Sequence, residues 1–306
     1  MDIRFDGKVA IVTGAGNGLG RSHALALAAR GAKVVVNDLG GRVDGSGSSL
    51  SAAEKVVAEI KANGGDAIAN GANVTNVLEV DAMVRQALQT WGRVDILINN
   101  AGILRDKSFA KVTDDDFKLV VDVHLMGAKN CSKAVWEAMK TQGGGTIVMT
   151  TSSSGLYGNF GQANYGAAKM GQVGLMNVLA IEGAKYNIKV NAISPCAATR
   201  MLSDLVDEQA NQVLTVESVT AGLLFLASEH SPSKFILAAG AGGYASAGIF
   251  ETQGIYLPPE QQTPENVARN LTTILDTSNQ QQFKEGNDQT VKFVGKAVEY
   301  QKRAKQ

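Results

Sequence analysis

Cysteine is nearly missing from this chain: it has two, Cys131 and Cys196, too few for a disulfide framework and suited to a reducing compartment. Neither sign of charge dominates, with 29 basic residues against 29 acidic, so nothing in the balance points to nucleic acid or an anionic membrane. No apolar run approaches the roughly 20 residues of a membrane helix. The uncharged stretch from Phe235 to Phe250 comes nearest, and glycines interrupt it. The first residues, Met1-Asp2-Ile3-Arg4-Phe5-Asp6, carry acids where a signal peptide would be apolar. The last, Arg303-Ala304-Lys305-Gln306, are not a Ser-Lys-Leu address, so the expected setting is cytoplasmic. No metal is expected. The one acidic cluster, Asp114-Asp115-Asp116, follows the N-cap candidate Thr113 and reads as the solvated first turn of a helix.

Glycine and apolar residues are plentiful, and their order is informative. Val9 to Thr13 is a short apolar run that reads as a buried parallel strand. Gly14-Ala15-Gly16-Asn17-Gly18-Leu19-Gly20 follows, then a helical pattern to Arg30, a second apolar strand from Lys33 to Asn37, and Asp38. Leu19 stands where the third glycine of Gly-x-Gly-x-x-Gly would be, so the spacing that fits is Gly14-x-x-x-Gly18-x-Gly20. Such glycines let the backbone turn sharply and approach a pyrophosphate at a helix N-terminus. An acid ending the second strand accepts from the adenosine ribose and repels a 2′-phosphate, which makes NAD the expected cofactor. Arg42, in the Gly/Ser-rich loop from Leu39 to Ser49, is placed to approach a 2′-phosphate, so NADP stays open as the lesser alternative. Asn73, just past a third strand from Asp66 to Asn70, is a candidate partner for the adenine amino group, with a solvated loop asparagine as the alternative.

Further strands are expected from Val94 to Ile98, Thr146 to Thr151, Lys189 to Ile193 and Phe235 to Ala238, each separated from the next by helical patterns. One of those helices runs from Thr113 toward Lys140. The alternation predicts an α/β fold: a doubly wound (Rossmann) parallel seven-stranded sheet with helices on both faces, over residues 1–250. Beyond it, Thr263-Pro264 opens a helix to about Leu275, and Thr290 to Lys305 forms a second. This extension, residues 251–306, is too small to fold alone and should pack on the body or on a partner subunit.

Tyr165 and Lys169 lie four apart on a helix expected from Gln162 to Tyr186, which puts phenol and ammonium on one face. A fixed cation favours the phenolate and should lower a pKa that is ordinarily about 10. Ser152 follows the fifth strand, and Asn99-Asn100-Ala101-Gly102 ends the fourth, where open α/β sheets bind ligands. His124 lies inside the helix toward Lys140; alone it reads as an interior histidine.

Taken together, Thr13-Gly14-x-x-x-Gly18-x-Gly20, Asn99-Asn100-Ala101-Gly102, Ser152 and Tyr165-x-x-x-Lys169 resemble the short-chain dehydrogenase/reductase family from the N-terminus to about Gly243. Arg4-Phe5-Asp6-Gly7-Lys8, Val36-Asn37-Asp38-Leu39-Gly40-Gly41, Gly102-Ile103-Leu104-Arg105-Asp106, the stretch from Tyr157 to Tyr165, and the tail from Thr263 to Asn279 look like the (3R)-hydroxyacyl-CoA dehydrogenase domains of multifunctional enzymes. The resemblance implies that Tyr165 is the acid/base, Lys169 its electrostatic partner and ribose ligand, and Ser152 the donor to the substrate oxygen. Gly14, Gly18, Leu19, Gly20, Asp38, Asn73, Val74, Asn100, Tyr165 and Lys169 would line NAD. It further implies oxidation of a (3R)-3-hydroxyacyl-CoA, or otherwise of a hydroxysteroid, another secondary alcohol or an acyl-carrier-protein ketoacyl group. A homodimer or homotetramer is implied, and no nucleic acid or membrane. Many members carry a relay asparagine where His124 stands, so His124 enters as a catalytic candidate. Cys196 replaces the usual glycine after Pro195 and reads as a small residue beside the nicotinamide.

Overall fold

The computed structural model describes residues 2–197 and 212–303. The chain forms two compact units, residues 1–246 and 247–306.

The first unit is built on strands β1 (Val9–Thr13), β2 (Lys33–Asn37), β3 (Asp66–Asn70), β4 (Ile96–Asn99), β5 (Gly145–Thr150), β6 (Ile188–Cys196), β7 (Ile236–Gly240) and β8 (Gly243–Ala247). Their order is β3-β2-β1-β4-β5-β6-β7-β8, and the pairs from β3 through β7 are parallel. β1 and β4 are buried along their whole length, which is why they read as unbroken apolar runs. The chain order changes direction between β1 and β4, and the C-terminal ends of these strands open the crevice where such sheets bind ligands.

The sheet has eight strands where the sequence predicts seven. Ala241 and Gly242 join β7 to β8, both with positive φ (50° and 77°). So short a connection fits an antiparallel hairpin alone. β8 is Gly/Ala-rich and mostly exposed, and lacks the apolar alternation that marks a strand.

Helices cover both faces. On one, α1 (Gly18–Ala29) packs against α2 (Ser51–Ala62) and α8 (Val216–Ala227); on the other, α3 (Val77–Trp91) meets α5 (Gly127–Thr141), and α4 (Asp114–Val121) meets α7 (Ala163–Gly183). A one-turn helix, α6 (Ser153–Tyr157), precedes α7. Leu27, Val56, Ile60, Leu223 and Leu226 form the core under α1, α2 and α8.

Two expectations change here. The helix expected from Thr113 to Lys140 is interrupted by a π-helical turn, Asp122–Met126, in which Gly127 N–H reaches back to Asp122 O. Gly127 lies against Val74: a Cβ there would stand 2.7 Å from Val74 Cγ2. Thr113 does cap α4, accepting from Asp116 N at 3.1 Å. The first turn is not wholly solvated, however. Asp116 is buried and pairs with Arg105 at 2.7 Å and Lys107 at 2.9 Å, two cations that hold its carboxyl well below the usual range.

In the second unit Thr263 caps α9 (Pro264–Arg269), with Pro264 in its first turn. The helix expected to Leu275 breaks at Asn270, whose amide donates to Asn266 O at 2.8 Å, and resumes as α10 (Leu271–Ile274). α11 spans Gly286–Arg303, starting earlier than expected; its expected end at Lys305 lies outside the described residues. Lys292 ties α11 to Glu251 at 2.6 Å. Among the described residues no helix is long and apolar enough to cross a membrane.

Candidate active site

The glycine turn links β1 to α1. Gly14 and Gly18 have φ of +63° and +52°, which β-carbons disfavour. Close approach excludes side chains elsewhere in the turn. A Cβ on Gly20 would lie 2.2 Å from Gly14 O, and one on Gly16 would lie 2.8 Å from the Asp38 carboxylate. Asn17, at the N-cap of α1, makes no side-chain cap. No side chain from the cap therefore competes for the N–H groups around Gly18, Leu19 and Gly20, where a helix terminus favours phosphate. Asn100 braces the turn from the end of β4, donating to Thr13 O at 2.9 Å and Gly14 O at 3.1 Å.

Asp38 faces the turn from the end of β2. Its Oδ2 accepts from Gly16 N at 2.7 Å and its Oδ1 from Gly40 N at 2.6 Å. Each oxygen keeps a lone pair for a ribose hydroxyl. The loop carrying Arg42 is more than a surface excursion: Leu104 N donates to Val43 O and Arg105 Nε to Asp44 O, both at 2.9 Å. Asn73 Oδ1 accepts both Thr75 N (3.0 Å) and Thr75 Oγ1 (2.9 Å). That oxygen holds a local turn, leaving the amide NH2 as the part of the side chain free to meet a base. Val74 is buried, and its carbonyl accepts from Asn130 at 3.0 Å.

The reactive side chains gather beyond β5. Ser152, in extended backbone, caps α6 and accepts from Ser154 N at 3.2 Å, so its O–H remains a donor. Lys169 is buried in α7, its Nζ 2.5 Å from Thr150 O and 5.4 Å from the centre of the Tyr165 ring. The sequence predicts a lowered tyrosine pKa; the structure shows a different balance. Burial raises the Tyr165 phenol above its ordinary value, against the pull of a hydrogen bond with Ser152. Burial also brings Lys169 down to about 7. Desolvation opposes charge on both partners and so moves their proton affinities apart, the phenol upward and the ammonium downward.

His124 sits edge-on to Tyr165, ring centres 5.0 Å apart at 88°. Its Nε2 lies 3.1 Å from Ile103 N and 2.8 Å from Ile103 O. Burial, then the nearby Lys169 charge, hold it well below the usual histidine range, so it is neutral at ordinary pH. Gly102 makes room for it: a Cβ there would lie 2.3 Å from His124 Cε1. Asn99 is structural, its amide directed at Ser132 Oγ (3.1 Å) and Met149 Sδ. Cys196, exposed at the end of β6, precedes residues 198–211, which lie outside the described residues.

A glycine turn at a helix N-terminus, an acid at the second strand and a Ser–Tyr–Lys cluster therefore lie at the C-terminal ends of the strands. A family model described as short chain dehydrogenase matches residues 8–210. The chain belongs to the short-chain dehydrogenase family. Peroxisomal multifunctional enzyme type 2 of Mus musculus is 47% identical over 280 residues, which cover 90% of this dehydrogenase and 38% of the mouse protein. The full-length Drosophila melanogaster enzyme of that name has a similar structure, with TM-score 0.80 and 34% identity over 97% of this dehydrogenase and 50% of the fly chain. This dehydrogenase thus spans half or less of either relative. A 7α-hydroxysteroid dehydrogenase complexed with NADH and 7-oxo glycochenodeoxycholic acid matches with TM-score 0.71 and 31% identity, over 79% of this chain and 96% of that one. Membership makes the chain an oxidoreductase acting on hydroxyl groups, of a family that uses NAD or NADP.

Several residues of the dehydrogenase's site escape sequence reading. Thr13 Oγ1 accepts from both Asn100 N and Ala101 N at 3.0 Å, pinning β4 to the turn. Thr151 Oγ1 donates to Lys169 O at 2.8 Å. Asn164 donates to Arg105 O at 3.1 Å and accepts from Tyr165 N at 2.8 Å. A polar residue at a buried strand end was the available signal for Thr13; Asn164 carried none, because its partner is a distant backbone carbonyl.

Proposed function

We propose that this dehydrogenase interconverts (3R)-3-hydroxyacyl-CoA and 3-oxoacyl-CoA with NAD. The observation that carries the reading is Tyr165 set between the Ser152 hydroxyl and the buried Lys169, at the strand ends that also hold the glycine turn and Asp38. Gly14, Gly18, Leu19 and Gly20 hold the pyrophosphate, Asp38 the adenosine ribose, and Asn73 and Val74 border the base. Asn100 holds the turn in shape, while Lys169 reaches the second ribose. The bound cofactor supplies the hydride acceptor. Ser152 donates to the substrate oxygen and stabilises charge that develops there. Tyr165 takes the hydroxyl proton, and Lys169 favours the phenolate. His124 meets the tyrosine ring edge-on and holds Ile103 through Nε2, while its buried Nδ1 is left without a hydrogen-bond partner among the described residues, and it is kept as the candidate relay residue.

The acyl-CoA assignment draws on the likeness of the Tyr157-to-Tyr165 stretch and of the tail to (3R)-hydroxyacyl-CoA dehydrogenase domains. A hydroxysteroid is the second reading, favoured by the 7α-hydroxysteroid dehydrogenase match. We also place the chain in the cytoplasm, although the mouse and fly relatives are peroxisomal by name, and as a homodimer or homotetramer. Half-exposed Val178 and Ile181 on α7 suit a subunit contact.

Steady-state kinetics on an R/S pair of 3-hydroxyacyl-CoAs and on a hydroxysteroid, each with NAD and NADP, test the reading. Turnover of the R thioester with NAD is expected to exceed every other combination by at least about tenfold, a difference of ~1.4 kcal/mol. Faster turnover of the steroid would replace this reading by the second. Asp38→Ser is expected to narrow the NAD preference by about tenfold or more, since it removes the charge that repels a 2′-phosphate. An unchanged cofactor ratio in that variant would remove Asp38 from its role.

A further inference from the structure

Tyr165 and Lys169 share their stripe of α7 with a third polar residue. Gln172 lies seven positions after Tyr165 and three after Lys169, a spacing that keeps all three on one helical face. Like Lys169, it is buried. Its amide donates to the backbone carbonyl of His124 at 2.8 Å. That carbonyl belongs to the π-turn Asp122–Met126, and the ring of the same residue meets Tyr165 edge-on. α7 approaches the turn closely here: a Cβ on Gly171 would lie 2.9 Å from Leu125 Cδ2.

These contacts close a circuit. From Tyr165 it crosses the ring contact to His124, follows the His124 backbone to the Gln172 amide, and returns along about two turns of α7 to Tyr165. One rigid helix therefore carries both the phenol and the clamp on the group beside the phenol. The clamp sits on a rare local geometry, since π-turns are found mostly as single turns, often at functional sites.

Packing alone does not account for Gln172. Among the described residues its carbonyl oxygen has no hydrogen-bond partner, and neither has His124 Nδ1. Both residues line one cleft too narrow for a water molecule. A buried amide left half satisfied opposes stability, and an apolar side chain of the same size would have no such oxygen to desolvate. What the amide provides is its hold on His124.

We propose that Gln172 is a positioning residue for the reaction proposed above: its amide locks the π-turn so that the His124 imidazole stays against Tyr165. This rests on Tyr165 as the acid/base. Gln172 acts through His124 rather than on the reacting atoms. Without the amide the turn loses its tie to α7, the ring leaves its place against Tyr165, and proton transfer slows. The glycine turn and Asp38 keep their own hydrogen bonds, so cofactor binding is spared.

Two measurements test this. The first is steady-state oxidation of a (3R)-3-hydroxyacyl-CoA with NAD. Gln172→Leu is expected to lower kcat by about tenfold while KM and NAD affinity stay within about twofold of the parent, because a small misplacement at the reacting centre slows the step without weakening binding. His124→Leu should lower kcat by a similar factor. Adding Gln172→Leu to His124→Leu should lower it no further, since a residue that acts through another is not additive with it. The second measurement needs no substrate. Isotope-labelled histidine in the NAD-loaded protein gives NMR signals from three residues, and the signal missing in His124→Leu belongs to His124. Its ring protons should feel the ring current of Tyr165, with Tyr165→Leu as the reference that lacks it, and Gln172→Leu should move them most of the way to that reference.

An unchanged kcat in Gln172→Leu overturns the role. So does a full further loss on the His124→Leu background, a His124 signal that Gln172→Leu leaves in place, or a loss carried by KM and NAD affinity, which would mark general distortion. If Gln172→Leu does not fold, Gln172→Met, which fills the same space without a donor, replaces it in every comparison. Failure of the underlying reading looks different: Tyr165→Phe would keep its turnover, while the His124 signal still moves in Gln172→Leu.

Discussion

Tyr165→Phe is expected to lose about 10²- to 10⁴-fold in turnover while NAD affinity stays within about threefold. The substitution removes one oxygen and leaves the ring that meets His124 edge-on and lies beside Lys169. The glycine turn and Asp38 are untouched, so the cofactor should be held as before. The loss should appear in kcat more than in KM, because the proton passes only as the reaction proceeds. Ser152 and Lys169 remain, but neither replaces the phenol: Ser152 is a donor to the oxygen, and Lys169 is held at Thr150 O. The measurements are NADH fluorescence titration for binding and stopped-flow absorbance for hydride transfer. Turnover within tenfold of the parent would falsify the acid/base role.

Gly20→Ala should have the second large effect, on both stability and cofactor binding. A methyl group at this position would meet Gly14 O at 2.2 Å and Asn100 Nδ2 at 2.5 Å. The first obstacle is backbone and cannot rotate away; the second is the side chain that braces the turn. Overpacking of this kind typically costs about 1–3 kcal/mol. The turn must also widen where it should cradle phosphate, so NADH affinity should fall by about tenfold or more, the equivalent of ~1.4 kcal/mol. Thermal unfolding with and without NADH separates the two contributions. A variant whose Tm and NADH affinity both match the parent would show that the turn does not need this close approach.

Much of this architecture was legible because its signals are local. β1 and β2 are continuous apolar runs, and the glycines between them admit few other conformations. The Tyr165–Lys169 spacing fixes a shared helical face before any fold is known. What stayed hidden depends on distant partners. The burial of Asp116 follows from Arg105 and Lys107 turning toward it. The π-turn arises where Gly127 meets Val74, in a stretch whose apolar spacing reads as one regular helix. The direction of the Tyr165 shift was missed for a related reason: a neighbouring cation is visible in the sequence, whereas desolvation of both groups becomes apparent only once the core has closed around them.

The π-turn at Asp122–Met126 can also be described as a change of phase. An α-helix advances about 100° per residue, so one additional residue in a turn rotates everything beyond it by that angle relative to what comes before. α4 keeps its packing against α7 and α5 keeps its packing against α3, two alignments that a single uninterrupted helix would have to satisfy with one set of faces. His124 occupies the slip itself. Deleting one residue from this turn would restore ordinary periodicity and, in doing so, set the two helices against each other, with the imidazole beside Tyr165 the first group to leave its place.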